Sequence, residues 1–183
     1  MQFLGLRMNP GNEWRITMNQ SNKSNISDAL KDAGMEILTC LQCGTCSGSC
    51  PSGRYTSMIT RKIVRKARVG RDMLHDPVLW MCTTCYTCQE RCPREIKITD
   101  AILAIRTIAV HEGIMLPEHR KVSQLVLEHG HAVPINDAVK EKRESLGMEA
   151  LPETVHKYPD ALADVQTLLE SCGFDKLADS AQE

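Results

Sequence analysis

Aromatic residues are scarce in this 183-residue chain, 4% in all (two Trp, three Tyr and two Phe), so a conventional core would have few large anchors. A surplus of one charge is also missing. Lys and Arg number 22 against 23 Asp and Glu, a net charge of -1, which is not the footprint of a nucleic-acid binder or a polybasic membrane protein. Long apolar runs are absent as well. The most apolar stretch, Ala101 to Val110, is interrupted by Arg106 and falls far short of the roughly 20 residues a spanning helix needs. The opening MQFLGLRMNPGNEWRITMNQ has no apolar core of the secretory kind. The glycines form neither a phosphate loop nor a dinucleotide fingerprint, so flavin or nicotinamide binding is not supported. These absences predict a soluble, cytoplasmic chain without direct membrane insertion. In that compartment thiols stay reduced, and clustered cysteines bind metal.

Cysteine is what the chain has in excess: nine residues, eight of them between Cys40 and Cys92. Cys40, Cys43, Cys46 and Cys50 are followed by Pro51; Cys82, Cys85, Cys88 and Cys92 repeat the same spacing and are followed by Pro93. Zinc sites use paired Cys-x2-Cys steps; a third cysteine at the same step and a Cys-Pro at the next do not fit that habit. A cubane cluster, by contrast, needs thiolates at four tetrahedrally disposed irons. A winding loop can present three of them, and the fourth corner is more easily reached from elsewhere. The spacing is that of bacterial two-cluster ferredoxins, in which the fourth cysteine ligates the other cluster. Carried over, that arrangement puts Cys40, Cys43, Cys46 and Cys92 on one [4Fe-4S] cluster and Cys82, Cys85, Cys88 and Cys50 on a second; spacing alone does not prove the crossing. Eight thiolates saturate eight iron corners, so no iron is open to substrate and no catalytic residue is assigned. The segment from Cys50 to Cys82 carries seven Lys/Arg and two Asp, an excess of +5 (7−2) that offsets the buried negative charge of such clusters.

The rest of the chain reads as helical. Predicted helices run over 28–33, 57–69 with a Ser/Thr start, from a Thr99 or Asp100 cap to Gly113, from Pro117 to Gly130, over 136–146 and over 159–172. Residues 151–159 read as an extended connector and the tail after Phe174 as frayed. Cys172 reads as a buried or semi-buried free thiol. His111, His119, His129 and His131 fall at helix ends and polar positions, which speaks against a further metal site. The expected organisation is a partly flexible arm (1–27), a two-motif all-α domain (28–113) and a helical extension (114–183).

The paired motifs, flanked by helices, resemble the α-helical ferredoxin domain, which also occurs in the iron–sulfur subunits of succinate dehydrogenases and fumarate reductases. The helix DAILAIRTIAVHEG and the ending LPETVHKYPDALADVQTLLESCGF extend the likeness to the small iron–sulfur (HdrC-type) subunits of heterodisulfide reductase, over roughly residues 27–175. That resemblance implies an electron-relay protein without catalysis of its own. It would pass electrons from a flavin- and cluster-bearing subunit to the catalytic one, which reduces the mixed disulfide of coenzyme M and coenzyme B in methanogenesis. A hydrogenase or formate dehydrogenase module would act through the flavin-bearing partner. An iron–sulfur subunit of a succinate- or glycolate-type oxidoreductase, and a free two-cluster ferredoxin, are the alternatives.

Overall fold

The computed structural model describes residues 26–70, 73–153 and 157–179. The predicted arm lies outside them except for residues 26 and 27, as do residues 154–156 of the connector. Among the described residues there are nine α-helices and three short 3-10 turns, with no strand. The chain divides into two compact units, one ending at Ile114 and the other beginning at Met115.

In the first unit, α1 (Ile26–Asp32), α3 (Thr60–Arg68) and α5 (Ile98–His111) supply the core. Leu30, Ile63, Val64, Ala67, Ile102 and Ile105 pack into one apolar cluster that also contains Cys46, Cys50 and Cys88. The sequence pattern of α3 explains its orientation: Thr60, Ile63, Val64 and Ala67 are buried, while Arg61, Lys62, Arg65 and Arg68 stay exposed. Two single helical turns, α2 (Thr45–Gly48) and α4 (Thr87–Glu90), sit inside the cysteine motifs and pack against each other. Short 3-10 turns, Ile37–Thr39 and Pro77–Met81, lead into Cys40 and Cys82 respectively. The Asp76 side chain caps the second of them by accepting from the Val78 N–H at 3.0 Å, and also pairs with Lys66.

Two helix starts differ from the sequence reading. Helix α3 begins at Thr60, three residues later than predicted, after an Ile59 that offers no side-chain cap. Helix α5 begins at Ile98, so neither Thr99 nor Asp100 is its cap. Thr99 is buried inside the first turn, held there by contacts to the second cysteine motif.

The second unit holds α6 (Pro117–His129), α7 (Asp137–Ser145), α8 (Pro159–Ser171) and α9 (Phe174–Asp179). Asn136 caps α7 by accepting from the Val139 N–H at 2.9 Å, and Gly130 ends α6 at φ 72°. Of the tail expected to fray, the residues up to 179 belong to helix α9 instead, and residues 180–183 lie outside the described ones. Helix α9 packs on α6 and α8, buries Ala178 and takes a 3.4 Å bond from Arg120 Nη1 to the Ala178 carbonyl. Its six residues are too few for a periodic signal.

Candidate metal centres

Each cysteine motif winds through the same backbone path. The second and fourth residues after the first cysteine adopt left-handed conformations in both: Gln42 (φ 57°) and Gly44 (φ 86°), then Thr84 (φ 51°) and Tyr86 (φ 61°). Two left-handed residues separated by one place turn the chain sharply between the first and third cysteines of each motif. Only the Gly44 position is filled by the residue that takes this geometry without strain. The hydroxyl of the exposed Tyr86 donates to Asp100 Oδ1 at 3.2 Å; the nearby Asp100 carboxylate holds the phenol above its ordinary value.

The first motif forms a cavity whose walls include Cys40, Cys43, Cys46 and, from the second motif, Cys92. Arg61 and Arg94 border the same space. Around the second motif, Cys82, Cys85 and Cys50 are near enough to Cys88 for their charge to act on it. Both third cysteines, Cys46 and Cys88, are buried, and burial pushes their thiols up, with a smaller push from across the motifs: Cys88 on Cys46, and Cys50 on Cys88. Cys46 and Cys88 lie in the turns α2 and α4, which pack against each other. Cys43 and Cys85, the second cysteines, are exposed.

Hydrogen bonds repeat with the motifs. Thr45 Oγ1 lies 3.4 Å from Cys43 Sγ and Thr87 Oγ1 lies 3.5 Å from Cys85 Sγ, and each hydroxyl holds its thiol below the ordinary value. The residue after the third cysteine anchors a helix start in both: Ser47 Oγ accepts from the Arg61 N–H at 2.8 Å, and Gln89 Oε1 from the Thr99 N–H at 3.1 Å. An arginine then holds the first cysteine's carbonyl, Arg68 Nη1 to Cys40 O at 2.9 Å and Arg106 Nη2 to Cys82 O at 2.7 Å. Arg106 also donates to Leu79 O and lies over the Trp80 ring, 5.6 Å from its centroid. Further donors reach sulfur directly: Gln42 N and Nε2 to Cys40 at 3.4 and 3.2 Å, and Gly53 N to Cys50 at 3.3 Å. Gly53 has no room for a Cβ, which would meet the Met58 carbonyl at 2.7 Å.

This donor set fits a polynuclear centre better than a single ion. Four thiolates on one zinc would stand roughly 3.8 Å apart, given Zn–S bonds of about 2.3 Å. Among the described residues no three Cys, His, Asp or Glu converge closely enough to hold one metal ion; Cys40, Cys43, Cys46 and Cys92 line a cavity instead. The four C-terminal histidines noted in the sequence belong to no such group either. Cys172 is exposed, not buried, with its thiol donating to Leu169 O at 3.2 Å.

Comparison with known proteins agrees with the chemistry. The family model for the 4Fe-4S dicluster domain matches residues 36–96. The chain is 60% identical over 150 residues to the C subunit of the ferredoxin:CoB-CoM heterodisulfide reductase of Methanosarcina mazei, covering 81% of this chain and 93% of that protein. It is 51% identical over 154 residues to the C subunit of the H(2):CoB-CoM heterodisulfide,ferredoxin reductase of Methanothermobacter thermautotrophicus, covering 82% and 83%. The chain belongs to the HdrC family of heterodisulfide reductase subunits. Its cofactors are [4Fe-4S] clusters, two of them, and the matched span contains both four-cysteine motifs. A more distant HdrC-like protein, from Archaeoglobus profundus, is 29% identical over 156 residues. Among the described residues no helix is long and apolar enough to cross a membrane.

Sequence reasoning singles out the eight motif cysteines and the excess of positive charge between them, but not Arg106 or Arg94. Arg106 reads as no more than a charge interrupting an apolar stretch. An arginine on an otherwise buried helix face is itself the signal, since it stays there only with acceptors to satisfy it. Arg94 follows a Cys-Pro and lies outside the inter-motif segment, where the excess of positive charge is most visible.

Proposed function

We propose that this protein relays electrons between two partners in a heterodisulfide reductase, taking them from a flavin- and cluster-bearing subunit and delivering them to a catalytic one that cleaves the coenzyme M–coenzyme B heterodisulfide. The flavin-bearing partner would link it to a hydrogenase or formate dehydrogenase module. In this reading Cys40, Cys43, Cys46 and Cys92 hold one cluster, and Cys82, Cys85, Cys88 and Cys50 the other. Bound clusters supply one-electron storage at potentials that the protein tunes. The protein's part is to saturate the metal with thiolates, exclude substrate from it and keep the two centres close. The observation that carries the reading is the junction of the motifs: Cys92 shares a cavity wall with the first three cysteines, and the buried Cys46 and Cys88 lie in the turns α2 and α4, which pack against each other.

The second unit supports a docking role. It carries a groove lined by Val133, Ile135, Leu146 and Met148 together with Lys140 and Arg143, and Leu168 of α8 is 67% exposed. Apolar side chains left open beside cations suit a partner protein with an apolar, acidic surface.

Anaerobic native purification tests the assignment. A large flavoprotein and a cysteine-rich catalytic chain should copurify, and the reduced flavoprotein should reduce the clusters of this chain before the catalytic chain is reduced. Removing residues 148–183 should release a partner while both clusters stay bound. A monomeric brown protein that recovers alone would instead be a free ferredoxin.

A further inference from the structure

The two centres have the same skeleton but different charges at matched positions. Arg61 and Thr99 correspond, because each donates its backbone N–H to the side chain that follows the third cysteine, Ser47 or Gln89. Arg61 borders the first cavity; Thr99 places a neutral hydroxyl 3.5 Å from Cys88 Sγ. Two residues past the fourth cysteine the pattern recurs. Arg94 follows Cys92 and borders the first cavity, whereas Ser52 follows Cys50 and spends its hydroxyl on the Met81 carbonyl at 2.6 Å. The residue at the first left-handed position continues it: Gln42 gives two N–H donors to Cys40, while Thr84 turns its hydroxyl to the Thr83 carbonyl. Two positions run the other way: Gly53 gives an N–H to Cys50 at 3.3 Å, and Arg54 stands where the first centre has the buried Ile96. The second side also carries an anion, Asp100, which accepts from Tyr86 and from Gln89 Nε2. Arg68 and Arg106 cancel, each bound to the carbonyl of its own first cysteine.

Cations and N–H donors near cluster sulfurs favour the more negative, reduced state and raise its potential; nearby carboxylates lower it. We propose that Arg61, Arg94 and Gln42 make the Cys40–Cys43–Cys46–Cys92 centre the higher-potential of the two, so that an electron entering the chain comes to rest at the first-motif end. The internal transfer is balanced, with the second-motif centre oxidised by one electron and the first-motif centre reduced by one. The inference rests on the ligand sets of the proposed function and adds a direction to them: the donor faces the exposed Cys85 edge, and the acceptor faces the exposed Cys43 edge.

The test is a potentiometric titration, followed by EPR, of the full-length chain loaded with its clusters. Iron content and the presence of two reducible signals first check the ligand reading independently of their order. Cys43→Ser and Cys85→Ser perturb one signal each and assign the two steps to the motifs. The expected result is that the higher step belongs to the first motif, that Arg94→Gln moves this step down while leaving the lower step in place, and that Arg94→Lys restores it. Asp100→Asn should move only the lower step, upward. Assignment of the higher step to the second motif overturns the proposal, as does an Arg94→Gln variant that keeps its iron and leaves the first-motif step unmoved. Should Arg94→Gln fail to load iron, Arg61→Gln and Gln42→Leu carry the same downward expectation.

Discussion

The two units of this chain solve the problem of stability in different ways. The first has few aromatics yet buries Leu30, Ile37, Leu79, Ile102 and Ile105 almost completely, with three of its cysteines in the same apolar cluster. The second has four helices, of which α6, α7 and α8 contain no fully buried residue; Ala178 is its one buried side chain among the described residues. A protein that needed only to wrap two clusters could stop after α5. The contrast is between a closed core packed around the cysteine motifs and a second unit that leaves apolar side chains open, which is the basis of the docking proposal.

The sharpest way to break the contrast is at cysteine. Cys46→Ser or Cys88→Ser should each cost about half of the bound iron, because removal of one buried thiolate leaves a four-iron centre with a missing corner. Cys172→Ser, in the exposed turn between α8 and α9, should leave the iron content unchanged. Iron and sulfide analysis of anaerobically purified variants checks both, and iron loss from Cys172→Ser would erase the distinction between the units.

Core truncation gives the next largest effect. Ile105 is 1% exposed in the middle of α5, so Ile105→Ala should destabilise the chain by about 2–5 kcal/mol, the usual cost of emptying a well-packed site. Leu168→Ala removes a side chain of similar size that is 67% exposed and should cost less than about 0.5 kcal/mol. Denaturant unfolding of the two variants measures the gap. The second comparison is made in the assembled complex: there the order of effects should change, with Leu168→Ala weakening partner retention if the docking proposal holds.

How much of this is legible in the sequence follows the same division. The helices of the second unit are legible because proline, asparagine and glycine punctuate them, at Pro117, Asn136, Gly130 and Pro159, and these act within one turn of the chain. The cysteine motifs are legible because their spacing is itself the signal. The surroundings of the cysteines are not, since Arg68 reaches back 28 residues to Cys40 and Arg106 reaches back 24 to Cys82; no local pattern encodes such a partner. Thr99 misleads for the same reason. A threonine ahead of an apolar run looks like a cap, and only the fold puts Cys88 and Gln89 beside it.

The smallest effect concerns how the first unit ties its two motifs together. Asp76 caps the turn leading into Cys82 and pairs with Lys66 on α3, the helix that follows the first motif. The hydrogen bond from Lys66 holds the Asp76 carboxyl below its ordinary value. A carboxylate whose folded-state value is depressed contributes stability that is complete above its unfolded value, near 3.9, and is lost as pH falls through the folded one. Asp76→Ala should therefore cost about 1 kcal/mol at neutral pH, in the range of a lost helix cap, and the gap from wild type should narrow as the pH falls below about 4. Because acid also strips iron–sulfur clusters, the measurement belongs on cluster-free chain, provided that chain still unfolds cooperatively, with urea midpoints of wild type and variant compared at each pH. The second unit supplies the control. Lys157 holds Glu149 below its ordinary value through an exposed hydrogen bond, and water screens that contact, so Glu149→Gln should leave the midpoint almost unmoved at any pH. A pH-dependent gap at Glu149 equal to that at Asp76 would mean that the capped turn into Cys82 contributes nothing beyond an ordinary surface pair.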